Sequence, residues 1–148
     1  MLRAAPEADV VVMAAAVADF RPVHVAESKV KKDSNALPVI ALESTDDVLS
    51  LLVAERRPGQ LIVGFAAETG DANADWLEHG RTKLQRKRCD VLVVNEVGAE
   101  KGFESEDNAA VILSRSGSDV VVPFGPKDDL AHTLLEVVAT QLRDEAAH

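Results

Sequence analysis

Leu61-Ile62-Val63-Gly64-Phe65-Ala66-Ala67 is a run of seven residues with no charged or hydrogen-bonding side chain. A strand with one face in water alternates apolar and polar residues. A run without alternation suits a strand covered on both faces, as in a parallel sheet lying between helices. Two further segments have the same character: Asp90-Val91-Leu92-Val93-Val94-Asn95 after it, and Ala8-Asp9-Val10-Val11-Val12-Met13-Ala14-Ala15-Ala16-Val17 before it. Helical signals separate them. Ser44-Thr45-Asp46-Asp47 offers several N-caps ahead of Val48, Leu49, Leu51, Leu52 and Val53, and Arg56-Arg57-Pro58-Gly59 stops that helix. Asn73 to Arg88 is amphipathic, with Ala74, Leu77 and Leu84 on one stripe.

Beyond the third strand, Gly98 to Asp107 reads as a polar loop. Ala109-Ala110-Val111-Ile112-Leu113 and Asp119-Val120-Val121-Val122-Pro123 flank Arg115-Ser116-Gly117-Ser118, a hairpin signature. Lys127 to Leu142 is a closing helix with Leu130, Leu134, Val137, Val138 and Leu142 on its core stripe. After the first strand, Pro22 in Ala18-Asp19-Phe20-Arg21-Pro22 forbids simple continuation. Val23 to Asn35 is a long, lysine-rich loop, and Leu37-Pro38-Val39-Ile40-Ala41-Leu42 a short strand whose proline points to its start or to a sheet edge. The expected fold is α/β: one domain over residues 1–148, with a three-layer, Rossmann-like, mainly parallel sheet and an antiparallel edge hairpin.

Composition narrows the function. Hydrophobic residues make up 47% and charged residues 28%, which excludes disordered, collagen-like and disulfide-scaffold classes. Aromatics are only 3%, so the core has to be aliphatic. The net charge of −9 argues against nucleic acid as a general partner. Cys89 cannot form an internal disulfide, which suits a reducing cytoplasm, and reads as a buried small hydrophobe. No apolar run approaches the ~18 residues of a membrane span.

In sheets of this kind ligands bind outside the carboxyl ends of the strands. Ala14 to Asp19, Phe65 to Thr69, and Asn95 with Glu96 are delivered there. Asp19 directly follows a buried strand, where it could accept from ribose hydroxyls or a metal-bound water, or simply shape a turn. Lys29-Val30-Lys31-Lys32 reverses the local charge and could offset that of a triphosphate, or be an ordinary solvated loop. Lys83 and Lys87 are four apart and share one side of their helix beside its apolar stripe, a crevice edge or a plain solvated face. Asp46 and Asp47 read first as capping residues. Neither G-x-G-x-x-G nor a Walker-type loop is present, the four histidines lack metal spacing, and no hydrolase elbow occurs. The residues alone describe a nucleotide- or anion-binding α/β domain.

Taken together, Ala14 to Pro22, Lys29 to Lys32, Val63 to Thr69, Asp90 to Asn95, Phe103 to Asn108 and the helix start at Lys127-Asp128-Asp129-Leu130-Ala131 resemble bacterial phosphopantothenoylcysteine synthetase, the CTP-dependent ligase of coenzyme A synthesis. The resemblance covers nearly the whole chain. It implies that 4'-phosphopantothenate attacks the α-phosphate of CTP with Mg²⁺ present, giving an acyl-cytidylate, and that L-cysteine then displaces CMP. It places Lys29 on the phosphates and links Ala15 and Ala16 to the cysteine-dependent half. It assigns Met13, Ala14, Ala15, Asp19, Asp46, Asp47, Val48, Leu49, Phe65, Lys83 and Lys87 to the cytidine pocket, and Asn95 is added as a substrate contact. It further implies a homodimer, a domain lacking its N-terminal segment, and fusion to or partnership with a phosphopantothenoylcysteine decarboxylase. A non-catalytic nucleotide-binding module and an ATP-using synthetase of the same architecture are the alternatives.

Overall fold

The computed structural model describes residues 1–26, 28, 39–68, 75–96, 107–116 and 118–146. After a 3₁₀ turn at Ala5–Glu7, the elements run β1 (Val10–Met13), β2 (Phe20–Pro22), β3 (Leu42–Ser44), α1 (Val48–Glu55), β4 (Leu61–Glu68), α2 (Trp76–Lys87), β5 (Val91–Glu96), β6 (Asp107–Ser114), β7 (Val120–Pro126) and α3 (Lys127–Ala146). Five strands form one sheet in the order β1-β4-β5-β6-β7. β1, β4 and β5 are parallel, while β6 and β7 return antiparallel.

The unalternated runs do lie between two layers. Ile62, Ala66, Leu92 and Val94 face the core built with Leu49, Leu52 and Leu84 of α1 and α2. Leu61, Val63, Val91 and Val93 face the opposite core with Leu130, Leu134 and Val138 of α3. Each fully buried aliphatic side chain contributes about 1.5–3 kcal/mol. Two glycines set the helix spacing. A Cβ on Gly64 would stand 2.7 Å from Leu49 Cδ2, and one on Gly80 2.8 Å from Val94 Cγ2. α1 and α2 thus rest directly on the sheet. Cys89 is fully buried, and burial, aided by the charge of Asp90, pushes its thiol up to about 11. Among the described residues no helix is long and apolar enough to cross a membrane.

The structure corrects several boundaries. The first strand ends at Met13, and Ala14 to Val17 leave the sheet exposed. The strand expected over Leu37 to Leu42 is Leu42–Ser44, while Val39 to Ala41 are irregular and exposed, and residues 37 and 38 lie outside the described residues. This strand does not join the main sheet. It pairs antiparallel with β2 as a separate ribbon, in the register Phe20↔Ser44 and Pro22↔Leu42. Pro22 therefore belongs to a strand. Thr45 N donates to Asp19 O and Val23 N to Ala41 O, so odd-numbered residues carry the ladder and Pro22 falls where its missing N–H is not needed. α2 begins at Trp76 with Asp75 as N-cap, and residues 73 and 74 lie outside the described residues. α3 runs past Leu142 to Ala146. Of the expected Gly98 to Asp107 loop, Asp107 already belongs to β6 and the rest lies outside the described residues.

Candidate functional site

β4 leaves the sheet at Glu68, and α2 then runs back toward the start of β5. The N-terminal end of α2 consequently stands at the carboxyl edge of the sheet. Helical side chains lean toward the N-terminus of their helix, so Lys83 and Lys87 reach back toward that edge. Each meets a carboxylate. Lys83 Nζ donates to Glu68 Oε1 at 2.7 Å, with the two side chains 31% and 20% exposed. Lys87 Nζ donates to Asp47 Oδ2.

Asp47 has a second task as the N-cap of α1. Its Oδ1 accepts from Ser50 N at 3.1 Å, and its Oδ2 from Ser50 Oγ at 2.8 Å. Burial works to raise its pKa, but the hydrogen bonds from Lys87 and Ser50 outweigh burial and hold the carboxyl below its ordinary value. Asp47 thus ties the start of α1 to the last turn of α2. The ribbon closes on the same place. Thr45 N donates to Asp19 O at 2.9 Å and Thr45 Oγ to Ala18 O, which brings Asp19 beside the Asp46-Asp47 pair.

The residues read from the sequence fall into two groups. Met13, Val48 and Leu49 pack into the core under α1 and α2, and with Asp19, Asp46, Asp47, Lys83 and Lys87 they lie on the α1 and α2 side of the sheet. The side chains of Val48 and Leu49 belong to the core, so only their backbone N–H groups at the helix start are left to meet an anion. Ala14, Ala15 and Ala16 are exposed where the chain leaves β1. Phe65 lies across the sheet, packed on the α3-side core. Asn95, opposite Ala67 and Ala110 in register, points to that same side by strand parity, and its buried Oδ1 finds no partner among the described residues. The single crevice expected from sequence is therefore straddled by the strand ends. Lys29, Lys31, Lys32 and Thr69 lie outside the described residues.

Sequence reading offered Thr45 only as one of several helix caps and Glu68 only as part of the Phe65 to Thr69 strand end, with no partner for either. Strand parity was the available signal for Glu68. Even-numbered residues of β4 face α1 and α2, so the one carboxylate of that strand had to emerge on the lysine side.

The opposite edge is also polar but already matched. Two adjoining hollows of about 490 and 550 Å³ open there, the first lined by Arg56, Arg57, Asp90, Arg115 and Gln141. Asp90 takes Arg56 Nη1 on both oxygens at 2.7 and 2.8 Å and Ile62 N at 2.8 Å. Arg57 pairs with Asp9 and Arg115 Nη1 donates to Arg88 O. These guanidiniums brace strand starts. Among the described residues no three His, Cys, Asp or Glu side chains gather as a metal cluster.

Fold and placement together define a three-layer α/β domain with its small-residue strand exit, a capped helix start and two tethered lysines on one side of the sheet. The chain belongs to the family described as the DNA/pantothenate metabolism flavoprotein C-terminal domain, whose profile matches residues 1–142. It is 49% identical over 146 residues to the coenzyme A biosynthesis bifunctional protein CoaBC of Mycolicibacterium smegmatis, covering 95% of this chain and 35% of that protein. It is 50% identical over 143 residues to CoaBC of Mycobacterium tuberculosis, covering 93% and 34%. The chain thus spans about a third of the length of these curated relatives. Among solved structures, the C-terminal domain of a CoaBC protein superposes with a TM-score of 0.72 at 29% identity, over 97% of this chain and 59% of that one. A Cab2 variant in complex with phosphopantothenate-cysteine shares the fold, with a TM-score of 0.61 at 20% identity over 91% and 44%.

A carboxylate with a lowered native pKa contributes stability that is full above its unfolded value and lost as pH falls through the native one. Asp47→Ala is therefore expected to cost about 0.5–2 kcal/mol near neutrality, with the difference shrinking below roughly pH 4. Denaturant unfolding of both proteins at pH 7 and pH 3 checks this. A cost independent of pH would contradict the ionic cap.

Proposed function

We propose that this chain is the nucleotide-binding bulk of a phosphopantothenate–cysteine ligase, acting in the cytoplasm in coenzyme A synthesis and using CTP. The observation that carries the reading is that Asp19, the Asp46–Leu49 helix start, Lys83 and Lys87 all lie on the α1 and α2 side of the sheet. Kinship with CoaBC proteins over nearly the whole chain supports the choice of reaction. The bifunctional nature of those relatives supports a partner or fused decarboxylase domain. The Cab2 complex supports phosphopantothenate and cysteine as the joined halves.

In this reading the carboxylate of 4'-phosphopantothenate attacks the α-phosphate of CTP and pyrophosphate leaves. The amine of L-cysteine then attacks the acyl carbon, the C–O bond of the mixed anhydride breaks, and CMP leaves. Lys83 and Lys87 provide fixed positive charge on one wall, and the helix start provides backbone N–H groups. Ala14, Ala15 and Ala16 let the reacting carbonyl approach the backbone closely, and Lys29 meets the charge that develops on the phosphates. Mg²⁺ is commonly carried by nucleotide phosphates and touched by only one or two carboxylates. Asp19 and Asp46 suit it, since among the described residues neither side chain is held in an ion pair. When bound, the ion would offset phosphate charge.

Calorimetric titration of the chain with CTP and with ATP, each with Mg²⁺, tests the pocket. Saturable binding that favours CTP is expected. Equal affinities would favour the ATP-using alternative, and no binding of either would overturn the reading. In turnover with 4'-phosphopantothenate, Lys29→Gln is expected to slow pyrophosphate release by roughly 10²-fold, and an unchanged rate would remove Lys29 from the mechanism.

The reading also includes a second copy of the chain. The β2–β3 ribbon and the residues flanking it expose Phe20, Val25, Ile40 and Leu42, 57–82% accessible, a concentration of apolar surface that a partner would cover. Sedimentation is expected to show a dimer that Phe20→Asp dissociates. A monomer at all concentrations would contradict this arm of the proposal.

A further inference from the structure

We propose that Glu68 is a positioning residue of the nucleotide pocket, holding the Lys83 ammonium in place before nucleotide arrives; this rests on the function proposed above. Glu68 ends a strand whose first seven residues are apolar or glycine, and parity sends its side chain to the α1 and α2 side. It meets Lys83 Nζ at 2.7 Å, with both groups more than two-thirds buried. As a device for stability the pair is poor, because burying charge offsets most of what the contact returns. As a device for placement it is effective. A lysine stem has four rotatable carbons and loses much freedom when its ammonium is fixed against a ligand. A carboxylate that fixes it beforehand removes that loss from the binding step.

The neighbouring lysine is treated the same way by different means. Lys87 is held by Asp47, which is itself locked by Ser50 at the start of α1. Both lysines of α2 are thus anchored to elements that end or begin at the carboxyl edge, β4 in one case and α1 in the other. A merely solvated lysine face would leave the ammonium groups free to sample water.

The alternative effect of Glu68 is repulsion of an incoming polyanion, and the two effects predict opposite changes. The test is a double-mutant cycle read by CTP titration with Mg²⁺, using wild type, Glu68→Gln, Lys83→Met and the double variant, each first shown to unfold cooperatively. If Glu68 works by holding Lys83, Glu68→Gln weakens CTP binding by about tenfold and adds nothing in the Lys83→Met background. Glu68→Asp, which keeps the charge and loses the reach, weakens binding in the same direction. Unchanged or tighter binding by Glu68→Gln, or losses that multiply in the double variant, would overturn the role. A second readout needs no nucleotide. Acylation of the free protein followed by mass spectrometry is expected to show Lys83 modified faster in Glu68→Gln than in wild type, and equal rates would overturn the tether. A wild-type chain that binds no CTP would overturn the nucleotide reading, and this role with it. Wild-type binding with an indifferent Glu68→Gln would overturn this role alone.

Discussion

β4 and β5 are covered on both faces, and that constraint shapes everything around them. Val63, Val91, Val93 and Val94 have no exposed surface, and neither strand carries a charged side chain before its last residues. A strand in that position can place polar groups only where it emerges from the layers. Glu68 and Asn95 are such groups at the carboxyl end, and Asp90 is the counterpart just before β5 begins. The separation of packing from chemistry in this domain follows from burial itself, since an unpaired charge between the layers would cost far more than any contact there returns.

The two edges of the sheet then take different parts. At the amino edge, Asp90 joins β5 to β4 through Ile62 N and to the end of α1 through Arg56. The guanidiniums there are matched to carboxylates or carbonyls, so the hollow they line is a brace. At the carboxyl edge the matching is incomplete. Lys83 and Lys87 are paired, but Asp19 and Asp46 have no ion-pair partner among the described residues, and the alanines after β1 lie open. Charge held in place beside unspent hydrogen-bonding capacity is what a polar ligand requires.

Much of this architecture could be read before the fold was seen, because it rests on local signals. Unalternated aliphatic runs gave the parallel strands, the capping residues Ser44 to Asp47 followed by an apolar stripe gave the start of α1, and Arg115 to Ser118 between two apolar runs gave the hairpin. The β2–β3 ribbon was illegible because each of its strands has only three residues, and its partners lie about twenty positions apart in sequence. Local propensity is silent at that length. The site was legible as a set of residues but not as a shape. Lys87 does meet Asp47, and Lys83 stands one helical turn from Lys87, whereas Phe65 emerges across the sheet from them, a consequence of strand parity that a list of motif positions conceals. Glu68 lay within a recognised stretch but acquired a role only once its partner on α2 was visible.

The central claim is that nucleotide binds at the carboxyl edge on the α1 and α2 side. Amide chemical-shift mapping of the chain on addition of CTP with Mg²⁺ tests it most directly. The account predicts saturable shifts centred on Asp19, Thr45 to Leu49, and the segment of α2 bearing Lys83 and Lys87, with Arg56, Arg115 and Gln141 unmoved. Shifts centred on those last three residues, at the amino edge, would contradict it.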